Sequence, residues 1–227
     1  MINILNSDLF KIRKNIAFYL TPLTLTILLL TIAFFTEIDY DVILVIATSL
    51  SATIIGIYSI SITYGSDLKA KNSQAVLGVG YSRLEYVVYK FMSFMSLNLI
   101  GFLYLYGVLK SLPLLVGYEA INVNLFWMLS QQFLMVLVFA SMSLTLFMKT
   151  QSISHLFIVF ILSITGFIYN IVSGLLGLIK VKSNLLPTAL FGQLVKYNSL
   201  EFVLLLGYIV VFMFISYIMF NRKELEF

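Results

Sequence analysis

The chain has 227 residues, of which 61% are hydrophobic and only 11% are charged, and its mean hydropathy is +1.03. A soluble domain of this size carries about 25% charged residues, so the composition excludes an ordinary soluble protein and indicates an integral membrane protein. The net charge of +4 is small and dispersed, which argues against a nucleic-acid partner. The chain has no cysteine, so it forms no disulfides and no thiolate metal site.

Six apolar runs follow one another along the chain, each about 20 residues long and able to cross a hydrocarbon core of about 30 Å. We expect all six to be helices, because a segment in lipid must satisfy its own backbone hydrogen bonds. The fold predicted for residues 1–227 is therefore a single all-α transmembrane domain. The predicted spans are approximately Ile16–Phe35, Val42–Tyr64, Phe91–Leu109, Leu125–Met148, Leu156–Ile179 and Leu200–Phe220.

The distribution of Lys and Arg predicts the side of the membrane on which each loop lies. An even number of spans places both termini on one side. The N-terminal segment, the second loop, the fourth loop and the C-terminal tail together carry ten Lys and Arg residues, whereas the opposite loops carry the other four of the fourteen. The positive-inside rule therefore predicts that both termini and the second loop are cytoplasmic.

Residues 1–15 are predicted to form an amphipathic helix in the headgroup layer, with basic residues near anionic lipid. At about 100° per residue, five aliphatic side chains fall in one narrow arc, and Lys11 and Lys14 lie away from it. A plain basic flank that only sets the topology remains the alternative. The aliphatic residues are Ile2, Leu5, Leu9, Ile12 and Ile16.

The second loop, residues 66–90, is among the longest polar stretches of the chain. Its first part, "SDLKAKNSQAVL" (Ser66–Leu77), is predicted to form a short helix. Gly78 and Gly80 then end this helix. The loop is thus predicted to be a folded helix–turn–helix at the cytoplasmic face, and a structured but inert loop is the alternative.

The second helix of this loop is predicted to begin at a capping box formed by Ser82, Arg83, Leu84 and Glu85. In such a box the Ser side chain caps the backbone and the Glu side chain reaches back to it. The helix should then continue into the third span. Arg83 and Lys90 are predicted to anchor it at the inner headgroups or to pair with acidic residues of a partner.

The fifth span carries a stripe of small and polar residues spaced three and four apart, on a single arc of one helix. Small residues allow helices to approach closely, and an Asn can form a hydrogen bond across helices. The stripe therefore predicts either helix packing or a contact with a transported substrate. Its members are Ser163, Gly166, Asn170, Ser173 and Gly177. A similar small face in the second span runs through Ala52, Gly56, Ser59 and Thr63.

The sequence offers little for catalysis. His155 is the only histidine, and no pair of carboxylates lies at membrane depth. No Gly-Lys dipeptide occurs, so the chain has no Walker A loop. The chain is therefore predicted not to be an enzyme, and any ATP hydrolysis would belong to another chain.

In layout, the whole chain resembles the six-helix permease subunits of bacterial ATP-binding-cassette exporters of the second export class. This class includes lantibiotic-immunity, bacitracin-resistance and peptide-toxin exporters. The residues that carry the resemblance are Asp67, the turn Gly80-Tyr81-Ser82-Arg83 and Lys90, together with the basic N-terminal segment and tail. One departure is that Lys69-Ala70-Lys71 stands where family members often have Gly-Thr after the acidic residue.

The resemblance implies that the second loop carries a coupling helix, which docks on a separate ATPase subunit. The implied coupling residues are Asp67, Lys69, Leu77, Gly80, Tyr81, Ser82, Arg83 and Glu85. It also implies a second permease copy or a paralogue, a hydrophobic or peptide substrate, and a bacterial plasma-membrane location. No cofactor is expected in this chain, since ATP and Mg would bind to the ATPase. Residues 181–199 would form a re-entrant outer segment or an ordinary outer loop.

Two other functions remain open, a non-transporting membrane assembly or sensory subunit and an ATP-independent secondary carrier. Neither needs a structured cytoplasmic docking loop. No ionisable side chain lies near the centre of a predicted span, which argues against a proton-coupled carrier. Polar residues that such a carrier could still use are Asn98, Gln131, Gln132 and Asn170.

The predicted topology can be tested with single cysteines, because the chain has none of its own. An impermeant thiol reagent added to intact cells should label Asp39→Cys, in the first outer loop, and should not label Ser73→Cys, in the second loop. The reverse pattern of labelling would invert the topology.

Overall fold

The computed structural model describes residues 10, 13–14, 16–35, 40–65, 82–116, 124–150, 152–178, 186–187, 189–190 and 199–222. Within these residues the chain is helical and has no strand, which confirms the predicted all-helical class. The helices are α1 (Ile16–Phe35), α2 (Tyr40–Ile60), α3 (Arg83–Val116), α4 (Leu125–Thr150), α5 (Ile153–Ile164), α6 (Phe167–Leu178) and α7 (Ser199–Asn221). A π-helical turn, Ser61–Gly65, follows α2 directly.

Three helices of the described part are long and apolar enough to cross a membrane, namely α3, α4 and α7. The pair α5 and α6 passes the same test only together, because the two are bent by 68° at their junction. The pair is therefore either one broken span or a re-entrant loop. These helices are those of a membrane protein, whereas the count of six spans stays a prediction.

The helices fall into two compact units, and α3 and α4 contribute to both. The first unit comprises Met1–Thr63 and Met92–Phe133, and the second comprises Tyr64–Phe91 and Leu134–Phe227.

In the first unit, α2 and α3 approach each other closely at Gly101. A Cβ atom added there would lie 2.7 Å from Cγ2 of Ile55, well inside the optimal carbon–carbon separation of about 3.5–4.0 Å. Nearby, Ile62 and Leu97 are buried together, with Tyr58 packed against them. A glycine at position 101 thus sets how near the two helices can lie.

The small face that the sequence predicts on α2 is buried. Its members are Ala52, Gly56, Ser59 and Thr63. Ser59 also lines a cavity, so the packing role of this face stays a prediction. Farther along α3, edge-to-face ring pairs join it to α4. The ring centroids of Phe102 and Phe133 are 5.5 Å apart, and those of Tyr106 and Phe126 are 6.4 Å apart.

Buried hydroxyl groups in both units donate hydrogen bonds back to their own helix. Thr48 donates to the carbonyl of Leu44 at 2.7 Å, and Ser143 donates to the carbonyl of Phe139 at 2.7 Å. Such bonds to the preceding turn satisfy a hydroxyl without water or a partner helix. They explain how an apolar helix accommodates polar residues.

Two predicted segments lie mostly outside the described residues. Of the N-terminal amphipathic helix, Phe10, Arg13 and Lys14 are described. They are helical and exposed, and Nζ of Lys14 lies 4.4 Å from the centroid of the Phe10 ring. Of residues 181–199, the described ones form a helical turn in which the N–H of Leu190 donates to the carbonyl of Leu186 at 3.0 Å. A re-entrant path for this segment stays a prediction.

The Gly101 contact predicts a stability difference between two glycines of the same helix. Gly101→Ala should lower the free energy of unfolding by about 1–3 kcal/mol, because the added Cβ overpacks against Ile55, whose β-branched side chain is stiff. Gly107→Ala is the matched control, since a Cβ at Gly107 meets nothing within 4 Å. Thermal unfolding in detergent measures both variants.

A double variant tests the cause of this loss. Because Ile55→Ala removes the clashing Cγ2, Gly101→Ala combined with Ile55→Ala should cost less than the two single substitutions added together. Strict additivity, or equal losses at Gly101 and Gly107, would contradict the close approach.

Candidate functional site

The start of α3 has the capping box that the sequence predicts. The backbone N–H of Ser82 donates to Oε2 of Glu85 at 2.8 Å, and the backbone N–H of Glu85 donates to Oγ of Ser82 at 3.2 Å. Oγ of Ser82 also donates to the same carboxylate oxygen at 2.9 Å. These reciprocal bonds satisfy groups that a helix start leaves without intrahelical partners. They fix the first residue of α3 immediately after the predicted coupling segment.

Arg83 contacts the end of α7 in the second unit. Its Nη1 donates to the backbone carbonyls of Phe220 at 2.9 Å and Asn221 at 2.6 Å. The guanidinium carbon also lies 5.8 Å from the centroid of the Phe220 ring. The last carbonyls of a helix lack intrahelical donors and carry the negative end of its dipole, so a cation stabilises this end.

The roles predicted for Arg83 and Lys90, which are to reach lipid headgroups or a partner, stay predictions. Within the chain, Arg83 binds the end of α7, and Lys90 is 1% exposed. Because α3 begins beside α7, both long side chains lie against neighbouring protein.

A ring contact extends the junction between Arg83 and α7. Tyr86 lies one turn further along α3, and its ring centroid is 5.5 Å from that of Phe220. Both side chains are buried. The charge-assisted bonds and the ring pair together hold the start of α3 beside the end of α7. We call this group, Arg83, Tyr86, Phe220 and Asn221, the α3–α7 clasp.

The other coupling residues implied by the family resemblance lie outside the described residues. They are Asp67, Lys69, Leu77, Gly80 and Tyr81. The described chain therefore includes Ser82, directly after the coupling segment 66–81, and the π-helical turn directly before it. In the second unit, the ring centroid of Tyr64, near the end of this turn, lies 5.3 Å from that of Phe147 on α4.

The fifth predicted span contains a break at Thr165 and Gly166, so the prediction of a continuous helix is wrong at this point. Gly166 has a φ of +76°, a left-handed conformation that glycine adopts without steric cost. The N–H of Thr165 donates to the carbonyl of Ile161 at 3.0 Å, and the N–H of Gly166 donates to that of Ser163 at 3.1 Å. These bonds end α5, and α6 begins at Phe167.

The break divides the predicted stripe between two helices, so its members do not share one arc. Ser163, on α5, is buried, but Asn170, on α6, is exposed. A Cβ at Gly166 would meet nothing within 4 Å, so this glycine serves the backbone turn and not a close helix contact. Ser173 is half-buried, and the backbone of Gly177 lies near the end of α6.

A small cavity of about 140 Å³ lies beside this break, within the second unit. Ser163 and Tyr169 line it from either side of the break, and Tyr208 lines it from α7. Pro187 of the short helical turn completes the wall. Ser163 is therefore the stripe residue that reaches a cavity.

The first unit contains a larger cavity, of about 420 Å³, between α1, α2 and α3. Its wall includes Pro22 of α1, Ser59 of α2 and Tyr104 of α3. The sequence predicts that Ser59 lies on a packing face and indicates no role for Pro22 or Tyr104. A signal was available for Pro22, because a proline inside an apolar run interrupts the helix hydrogen-bond ladder.

Among the described residues, no group of three or more His, Asp or Glu side chains is placed to hold a metal ion. No protein-family model matches the chain, and no curated protein matches it.

The left-handed turn at Gly166 predicts that the protein tolerates Asn at this position better than Ala. Packing alone does not predict this order. Gly166→Ala should lower the free energy of unfolding by about 1–2 kcal/mol, the cost of a left-handed conformation for an L-residue. Gly166→Asn should cost less, because Asn visits this region more readily. Chemical unfolding in mixed micelles measures both.

Gly174→Ala is the control for these two variants. Gly174 lies in α6, and a Cβ there also meets nothing within 4 Å. This substitution should be neutral or stabilising, because Ala favours a helix over Gly. If Gly166→Ala is tolerated as well as Gly174→Ala, the left-handed turn is wrong.

Proposed function

We propose that the chain is the transmembrane permease subunit of an ATP-driven exporter, with ATP hydrolysis carried out by a separate ATPase subunit. The exported substrates would be amphipathic peptides, such as a toxin or an antimicrobial peptide, or hydrophobic antibiotics. Two copies, or this chain and a paralogue, would form the pathway in a bacterial plasma membrane. Both termini would be cytoplasmic.

The lengths of the helices support six spans for this proposal. Helices α1 and α2 are not among the three helices that are clearly able to span a membrane. They have 20 and 21 residues. At 1.5 Å per residue each is about 30 Å long, which matches the thickness of a bilayer core. With α3, α4, the broken pair α5 and α6, and α7, the chain would then cross the membrane six times.

The α3–α7 clasp is the observation that carries the proposal. The proposed coupling segment, 66–81, lies between the π-helical turn after α2 and the capped start of α3. Arg83 follows the cap and binds the end of α7 through two carbonyls. A displacement of the segment would therefore reach two helices, α3 directly and α7 through the clasp.

Such a linkage suits a transporter whose conformations are biased by a partner. ATP binding would move the docked coupling segments and shift the populations of two states of the spans. The capping box keeps the first turn of α3 intact during this movement. The clasp would make the end of α7 move together with the start of α3.

The test uses the full chain, carrying an affinity tag and purified from its host in mild detergent. An ATPase should be purified with it, and the complex should hydrolyse ATP. The transport readout is survival of cells in bacitracin or in a lantibiotic. If neither an ATPase nor ATP hydrolysis accompanies the folded chain, the proposed function is wrong.

Two variants separate docking from transmission. Asp67→Ala, in the coupling segment, should weaken the association with the ATPase. Arg83→Ala should retain association but lower survival by about tenfold or more, because it removes charge-assisted hydrogen bonds worth about 1.5–3 kcal/mol. ATP hydrolysis would then continue without transport.

Arg222→Ala is the matched control, since Arg222 is an exposed arginine beside the same helix end. It should leave association, hydrolysis and survival unchanged. If Arg83→Ala behaves like Arg222→Ala in all three measurements, the clasp does not transmit movement.

A further inference from the structure

The larger cavity of the first unit has the size and lining of a ligand site. Its volume of about 420 Å³ falls within the range of about 300–1,000 Å³ that is usual for small-molecule pockets. Leu25, Ile55 and Leu97 form buried apolar parts of the wall. Tyr58, Ser59 and Tyr104 add hydroxyl groups, and among the residues described as lining the cavity none is charged.

The edge of the cavity at α1 contains a hydrogen-bonded trio formed by Pro22, Thr26 and Tyr104. Oγ1 of Thr26 donates to the carbonyl of Pro22 at 2.8 Å. The oxygens of Thr26 and Tyr104 are 2.6 Å apart, and the Tyr104 hydroxyl also lies 3.3 Å from the Pro22 carbonyl.

The number of hydroxyl hydrogens in this trio decides whether it can donate a hydrogen bond to a ligand. Two hydroxyl hydrogens are available. One reaches the Pro22 carbonyl and the other lies between the two hydroxyl oxygens, whichever of them donates. Both hydrogens are therefore used, and the oxygens of Thr26 and Tyr104 keep only acceptor capacity. A ligand that meets this edge must bring a donor.

Ser51, Ser59 and Ser93 are buried serines of the first unit whose hydroxyls have no hydrogen-bond partner among the described residues, and of these three Ser59 lines the cavity. The side chain of Ser59 is 1% exposed. A buried hydroxyl without a partner costs about 1–3 kcal/mol. Its neighbour Thr63 instead donates to the carbonyl of Ser59 at 2.7 Å. The hydroxyl of Ser59 is thus a donor and acceptor beside an apolar cavity.

We propose that this cavity binds a small, uncharged hydrophobic alcohol or phenol. The apolar wall would take its hydrocarbon body, and its hydroxyl would either accept from Ser59 or donate to Tyr104. A ketone could use the donor of Ser59 but not the acceptors of the trio. An anion or cation would lose its hydration in a wall without charge. This site does not depend on the proposed export function, because binding requires no ATPase.

The cavity volume limits the ligand to a compact molecule. With about 30 Å³ for each water-sized group, the space holds roughly a dozen non-hydrogen atoms. Entry is available at the edge where Leu23, Ile100 and Tyr104 are more exposed than the rest of the wall. A primary alcohol of medium length, such as 1-decanol, meets the limits of size, charge and polarity.

The test uses the purified full chain in lipid nanodiscs and a decanol derivative with a diazirine in its hydrocarbon tail. After illumination, mass spectrometry of peptides locates the labelled residues. Labelling should be saturable and concentrated in α1, α2 and α3 around the cavity. Unlabelled 1-decanol should compete better than decane or decanoate at equal membrane concentrations.

Two substitutions test the hydroxyl and the space separately. Ser59→Ala should weaken competition by 1-decanol about two- to tenfold, the effect of one hydrogen bond, and should leave competition by decane unchanged. Leu23→Trp should block the entrance and abolish saturable labelling. Ile27→Trp is its matched control, one turn away on α1 and equally exposed, but outside the cavity wall.

Three results would overturn the proposal. One is labelling that does not saturate, as expected for lipid filling an open surface. Another is equal competition by decane and 1-decanol. The third is identical behaviour of Leu23→Trp and Ile27→Trp. Ser59→Ala removes a single oxygen, so loss of folding does not obscure the measurement.

Discussion

A polar group surrounded by hydrocarbon must find its hydrogen-bond partner within the protein, and this constraint shapes the chain throughout. The backbone meets it by forming helices wherever the structure describes the predicted spans. Buried hydroxyls such as Thr48 and Ser143 meet it by donating to the preceding turn of their own helix. Ser51, Ser59 and Ser93 do not, among the described residues, and of these three Ser59 borders a cavity. At Ser59 a ligand in the cavity can supply the missing partner.

The same constraint appears along α3, which makes polar contacts in each of the two units. At its start, a capping box satisfies the first turn, and Arg83 satisfies the last carbonyls of α7. Further along, Gly101 permits α2 to approach, and Tyr104 joins the hydroxyl trio at α1. One long helix thus contributes both to the proposed coupling site and to the wall of the proposed ligand site. The contacts of Arg83 lie within the second unit, and those of Gly101 and Tyr104 lie within the first unit.

Local features of the fold could be predicted from the sequence, because the interacting residues are neighbours along the chain. The capping box spans four positions, and the small face of α2 follows helical periodicity. The clasp joins residues 137 positions apart, and no local pattern specifies which helix end Arg83 will meet. The break at Gly166 was concealed for another reason. The spacing of the stripe fits a continuous helix equally well, and a left-handed glycine leaves no periodic signal. The cavity also depends on three helices that the sequence does not place side by side.

The central claim is that the start of α3 and the end of α7 remain joined while the proposed transporter changes state. The most direct measurement is the distance between spin labels on Leu84→Cys, beside the clasp, and Asn221→Cys, which keeps the backbone carbonyl that Arg83 binds. Both positions are exposed, and the distance is measured in the purified complex with and without a non-hydrolysable ATP analogue. The account predicts one narrow distance distribution that the analogue leaves unchanged. A broad distribution, or a second distance that appears with the analogue, would contradict it, because the two helix ends would then move independently.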